Sequence, residues 1–129
     1  MRHEWDDHPY ADVRENHALQ RAFAANAALV GRRLAPPDHD HKVVGSTDMG
    51  NVSYLVPSIH PMLQVAPAGI PIHSPEFTQY AAGEEGDRAV IDGAKALALT
   101  VVDLWADAAL LEAACAEFAA GPGSETPVQ

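Results

Sequence analysis

Asp87-Arg88-Ala89-Val90-Ile91-Asp92-Gly93-Ala94-Lys95-Ala96-Leu97-Ala98-Leu99-Thr100-Val101-Val102-Asp103-Leu104-Trp105 is the stretch on which the fold of this chain turns. Val90, Ala94, Leu97, Val101 and Leu104 recur at the spacings of one helix face, and Asp87 stands where it can cap the start. Ile91, Ala98, Val102 and Trp105 widen that stripe well beyond a single row. So broad an apolar face predicts a helix lying on a sheet, with Val90, Leu97, Val101 and Leu104 buried against it. The continuous apolar part, Ala94 to Trp105, is broken by Lys95, Thr100 and Asp103 and falls short of the ~20 residues a membrane span needs.

Val52 to Val56 and Ile59 to Val65 are the runs expected to form the sheet: short, apolar, separated by Pro57-Ser58 and bounded by Pro67 and Gly69. Ahead of them, Met1 to Tyr10 reads as an irregular lead-in. Asp12-Val13-Arg14-Glu15 has the form of a capping box for a helix carrying Leu19, Phe23, Ala27, Val30 and Leu34, which Pro36-Pro37 stops. Ala66 to Glu85 holds Pro67, Gly69, Pro71, Pro75 and Gly83, so it reads as a shaped loop, the kind of segment where sites tend to lie. Asp107 is placed to cap a last helix with Leu110, Leu111, Ala114 and Phe118, ended by Gly121-Pro122-Gly123. Helix, strands, loop, helix, helix is an α/β order. Residues 1–120 are expected to form one segment and 121–129 a disordered tail.

Lys and Arg number 8 and Asp and Glu 18 among the 129 residues, a formal charge of −10 that disfavours nucleic acid as a partner. Hydrophobic residues at 47% and charged residues at 20% are ordinary globular usage and exclude disorder of the whole chain. The single cysteine, Cys115, has no internal partner for a disulfide. The polar, acidic start Met1-Arg2-His3-Glu4-Trp5-Asp6-Asp7 lacks the apolar run of a signal peptide, so the expected location is cytoplasmic.

Seven histidines in an acidic chain raise the question of a metal, because imidazole and carboxylate are the usual ligands of zinc and related ions. His39 and His41 lie in the polar loop Asp38-His39-Asp40-His41, which reads as a solvated turn; His3, His8 and His17 read as surface. His60, inside an apolar run, reads first as a core or edge residue. His73 differs. Gly69, Pro71 and Pro75 fix the backbone on both sides of it, and Glu76 is close enough in sequence to orient a ligating imidazole.

Three motifs follow in order: Gly45-Ser46-Thr47-Asp48-Met49-Gly50-Asn51-Val52-Ser53, Val56-Pro57-Ser58-Ile59-His60-Pro61 and His73-Ser74-Pro75-Glu76-Phe77. Together they closely resemble the C-terminal part of the catalytic domain of the aminoacylase/carboxypeptidase family of metal-dependent peptidases and amidohydrolases. The similarity runs from about Tyr10 to Phe118 and is nearest to the branch containing aminobenzoyl-glutamate utilisation protein B and the β-alanyl-lysine dipeptidase. It implies the C-terminal portion of a zinc-peptidase-like mixed sheet packed by helices, an incomplete domain. It also implies that His73 is the last ligand of a two-metal site, occupied by zinc or by manganese or cobalt. Asp48, Asn51, His60 and Glu76 become candidates for substrate contact or for supporting the ligand.

This sequence departs from the family pattern as clearly as it matches it. The family's His-x-Asp ligand pair, its catalytic Glu-Glu pair and its inserted dimerisation domain have no counterpart here; Glu84-Glu85 follows the His73 loop and reads as the exposed start of a helix. A two-metal hydrolase needs several ligands, a base for the bridging water and an electrophile for the oxyanion. No catalytic residue is therefore assigned within the chain. One expectation is a fragment of a metal-dependent amidohydrolase or dipeptidase, acting on an N-acyl amino acid or dipeptide once the remainder of the domain or a second subunit completes it. The alternative is a catalytically silent α/β remnant or interaction module. Apolar surface left open by a fragment also predicts self-association.

Overall fold

The computed structural model describes residues 9–34 and 47–121, which hold five helices: α1 (His17–Leu29), α2 (Met49–Ser53), α3 (Pro75–Ala81), α4 (Glu84–Ala106) and α5 (Ala108–Ala120). None of these residues belongs to a strand, so the expected α/β mixed sheet is corrected to an all-helical arrangement. The first expected strand is divided between α2 and the turn that ends it. The second, Ile59 to Val65, is an irregular strap with no strand beside it; Pro61 withholds a backbone donor a ladder would use. His3, His8, His39, His41 and residues 122–129 of the expected tail lie outside the described residues.

α1 packs against α4 and α5. Its cap is Asn16 rather than Asp12: Asn16 Oδ1 accepts the Leu19 N–H at 3.0 Å, and Asn16 Nδ2 donates to the Ala114 carbonyl of α5 at 2.8 Å. Leu19, Phe23 and Ala27 are buried, as their period predicts, and Val30 and Leu34 pack on the same core from beyond the helix end. Asn26 Nδ2 donates to Thr100 Oγ1 at 3.2 Å and to Asp103 Oδ2 at 2.6 Å, while Arg32 Nε donates to Asp92 Oδ2 at 2.9 Å. Later positions of α1 thus meet earlier positions of α4, and the two helices run antiparallel. Ile59 and Leu63 lie against both, so the strap seals one side of the pair.

α4 begins at Glu84, so Glu84-Glu85 is the exposed start of a helix, as expected, and the cap precedes the expected Asp87; the helix turns the unexpected face inward. Gly86, Ala89, Ala96 and Thr100 are buried, whereas Val90 is 70% exposed and Leu97 and Val101 are also exposed. Leu104 alone of the expected inward set reaches a core cluster, against Ala18, Leu19 and Ala114. The predicted burial of Val90, Leu97 and Val101 is therefore overturned. Small residues let α4 approach α1 closely, and the wide stripe that a sheet was expected to cover faces outward. Among the described residues, the only buried hydrophobic side chains larger than alanine are Leu19 and Phe23, so the interior is thin.

α5 starts as read, with Asp107 Oδ1 accepting from Ala109 N at 2.9 Å and Leu110 N at 3.3 Å, and it ends at Gly121 with φ +80°. Near its end, Glu117 accepts the first two N–H groups of α1, from His17 at 2.6 Å and Ala18 at 3.0 Å, and meets His17 Nδ1 at 2.9 Å. Burial tends to raise the Glu117 pKa, but the two backbone N–H groups and the His17 imidazole together hold it below its ordinary value. A depressed carboxylate stabilises the fold above its unfolded pKa, and that stability is lost as pH falls through the folded value. Glu117→Gln is thus expected to lower stability by about 1 kcal/mol near neutral pH, the size of a helix N-terminal charge effect. Its deficit should begin to shrink as pH falls through about 4, the ordinary Glu range, and disappear below the lowered folded value. Thermal melts of both proteins in steps from about pH 7 down to about pH 2.5 check this.

Candidate functional site

His-Ser-Pro-Glu is the start signal of a helix. Ser74 Oγ accepts the Phe77 N–H at 3.2 Å as the cap of α3, Pro75 occupies its first turn without needing a donor, and Glu76 places a carboxylate at the positive end of the helix. The expected loop from Ala66 to Glu85 is accordingly interrupted by a helix. His73 precedes the cap with φ +64°, a left-handed backbone that a non-glycine residue holds at a cost of about 1–3 kcal/mol. His73 and Glu76 are both exposed.

The Thr47–Ser53 part of the first motif builds a clamp. Asn51 Oδ1 accepts the Ala11 N–H at 2.9 Å, and Asn51 Nδ2 donates to the Pro9 carbonyl at 3.3 Å. Ser53 Oγ accepts the Arg14 N–H at 2.8 Å and donates to the Gly50 carbonyl at 2.6 Å. The Tyr54 hydroxyl donates to Asp12 Oδ1 at 2.9 Å, and that carboxylate raises the phenol pKa. Asp48 stands exposed before α2, its carboxylate accepting only a long 3.4 Å bond from the Thr47 hydroxyl. Asn51 therefore spends its amide on holding residues 9–11. Arg14, in the segment so held, lies over the Phe118 ring at 4.7 Å and donates to the Phe118 carbonyl, which ties the clamp to α5.

His60 is exposed on the strap, while its neighbour Ile59 packs inward and the Ser58 carbonyl accepts the Asn16 N–H at 3.2 Å. α2 and α3 do not pack against each other. The structure thus gathers Asn51 with the segment before α1, and His73 with Glu76 at the start of α3. Two shallow grooves mark the surface: one of about 470 Å³ between α1 and the α4–α5 corner, and one of about 290 Å³ beside Tyr80 and Glu85. Neither is lined by Asp48, Asn51, His60, His73 or Glu76. Among the described residues, no three His, Cys, Asp or Glu side chains stand close enough together to hold a metal ion. The described residues do not fit a complete metal site.

This chain is similar to the Xaa-Arg dipeptidases. It is 34% identical over 116 residues to the Xaa-Arg dipeptidase of Mus musculus, across 89% of this chain and 27% of the relative. The human Xaa-Arg dipeptidase is 33% identical over 112 residues, 86% of this chain and 26% of the relative. The chain spans about a quarter of the length of these curated relatives. No family model matches it. No helix among the described residues is long and apolar enough to cross a membrane.

Sequence reasoning missed Asn16, Gly50 and Glu117, which hold the segments together. Asn16, just ahead of His17-Ala18-Leu19, carried a readable cap signal that the Asp12 capping box obscured. Glu117 carried none, because a carboxylate that serves another helix leaves no local pattern.

Proposed function

We propose that this chain is a segment of a metal-dependent amidohydrolase that cleaves the amide bond of dipeptides or N-acyl amino acids, and that it contributes one ligand, His73, to a site completed by other polypeptide. The observation that carries this reading is the 34% identity to an Xaa-Arg dipeptidase across nearly the whole chain. His73 has features that suit a ligand: an exposed ring on a backbone held in a costly conformation by the cap of α3, with no role in the core. Zinc is the expected ion, with manganese and cobalt as the other ions of matching ligand preference. Glu76 and Asp48 are placed in the same proposal as substrate or supporting groups. Asn51 and His60 act through the clamp and the strap that position them.

The test uses this chain co-expressed with the portion of the mouse dipeptidase outside the matched 116 residues. His73→Ala should lower bound zinc, measured by mass spectrometry after dialysis, by at least the ~10-fold seen when metal sites lose a supporting group. His60→Ala should leave bound zinc unchanged. Full zinc occupancy in the His73→Ala complex would remove His73 from the site.

A further inference from the structure

We infer that the outward face of α4 is a seam, the surface on which polypeptide equivalent to the unmatched three quarters of the dipeptidase relatives docks. Val90, Ile91, Leu97, Val101, Val102 and Trp105 face away from α1, and Trp105 is 84% exposed. With Ala94 and Ala98 between them, they form an apolar strip from Val90 to Trp105, with the exposed Lys95 at its edge one turn after Ile91. Such a strip has an area on the order of several hundred Å², at the upper limit of what a free monomer carries. The interior of the described fold, by contrast, buries two large apolar residues. More large apolar side chains thus lie on this face than are fully buried in the interior, which is the pattern of a layer whose other side is supplied elsewhere.

Two observations choose the occupant. The relatives extend over roughly four times the matched length, so polypeptide of the required size accompanies the equivalent helix in them. Charge argues against a second copy of this chain. Each copy carries −10, and the strip is flanked by Glu84, Glu85 and Asp87 at one end and by the exposed Asp107 at the other. Pairing α4 with itself would bring acidic ends together in either orientation. A fitting partner presents an apolar surface with basic groups at its rim, where complementary charge steers the encounter. This inference rests on the dipeptidase-segment reading for the identity of the partner, while the exposed strip stands apart from any role of His73.

The experiment pairs this chain with mouse Xaa-Arg dipeptidase from which the matched 116 residues have been removed, and uses the full-length dipeptidase as the comparison. The expected result is a stable complex of one chain with one truncated dipeptidase, seen by light scattering, and no complex with the full-length enzyme, whose own segment fills the seam. Val101→Glu/Trp105→Glu should weaken the complex at least 10-fold with the free chain's circular dichroism unchanged, because both side chains face outward. Glu15→Gln should bind normally. Rescue of the truncated dipeptidase by its own excised segment and not by this chain would overturn the inference. So would loss of helicity in the double variant, or a discrete dimer of this chain alone that the same substitutions dissolve. A complex that forms yet binds no zinc keeps the seam and rejects the metal-site reading.

Discussion

Phe23→Ala is expected to unfold most of the protein at room temperature. Phe23 is 1% exposed and is the largest side chain in the interior, where Ala27 and Ala96 are its buried neighbours. Alanines cannot move in to refill the space, so the cost lies toward the top of the about 3–5 kcal/mol range for such truncations. A thin core leaves little stability in reserve, and about 5 kcal/mol is a low but ordinary total for a small domain. Loss of the far-ultraviolet helix signal at 25 °C measures it. A melting temperature lowered by less than about 5 °C would show that the α1–α4 contact is not the centre of the fold.

Gly50→Ala should release the segment ahead of α1 and cost about 2–3 kcal/mol, the penalty for overfilling a closed contact. A Cβ at position 50 would overlap the Ala11 carbonyl, which is backbone and has no rotamer to change. Residues 11–14 would have to back away and give up the bonds from Ala11 to Asn51 and from Arg14 to Ser53. Arg14 would then leave Phe118, so the effect should reach α5. Hydrogen exchange at Ala11 and Arg14 should accelerate more than 10-fold while Phe23 in α1 changes little. Unchanged protection at both amides would show that residues 9–14 are held by something other than α2.

α1 and α5 were legible because single local signals specify them: the Leu19–Phe23–Ala27 row for one, Asp107 and Gly121 for the other. α4 was legible as a helix and misread in direction. Hydrophobic periodicity reports which side of a helix is apolar, and α4 has two candidate sides. The Gly86–Ala89–Ala96–Thr100 row scores poorly on hydropathy, yet it allows close approach to α1 and bonds Asn26 through Thr100. Ile59 to Val65 has the composition of a strand; whether a strand forms depends on a neighbouring strand, which none of the described residues provides. At the candidate site, His73-Ser74-Pro75-Glu76 was legible as a motif, and its local meaning is a capped helix start preceded by a strained histidine. Asn51 was legible as part of a motif and not as a clamp, because its partners lie about forty residues earlier.

Hydrolysis of dipeptides, assayed with purified chain and with chain complexed to the truncated dipeptidase, tests the central claim most directly. With added Zn²⁺ or Mn²⁺, the chain alone should release no amino acid above the metal-only blank, since the single ligand proposed, His73, with no general base assigned beside it, cannot activate water. The complex should turn over and stop when chelator is added. Chelator-sensitive hydrolysis by the chain alone would contradict the claim that its site is completed by other polypeptide.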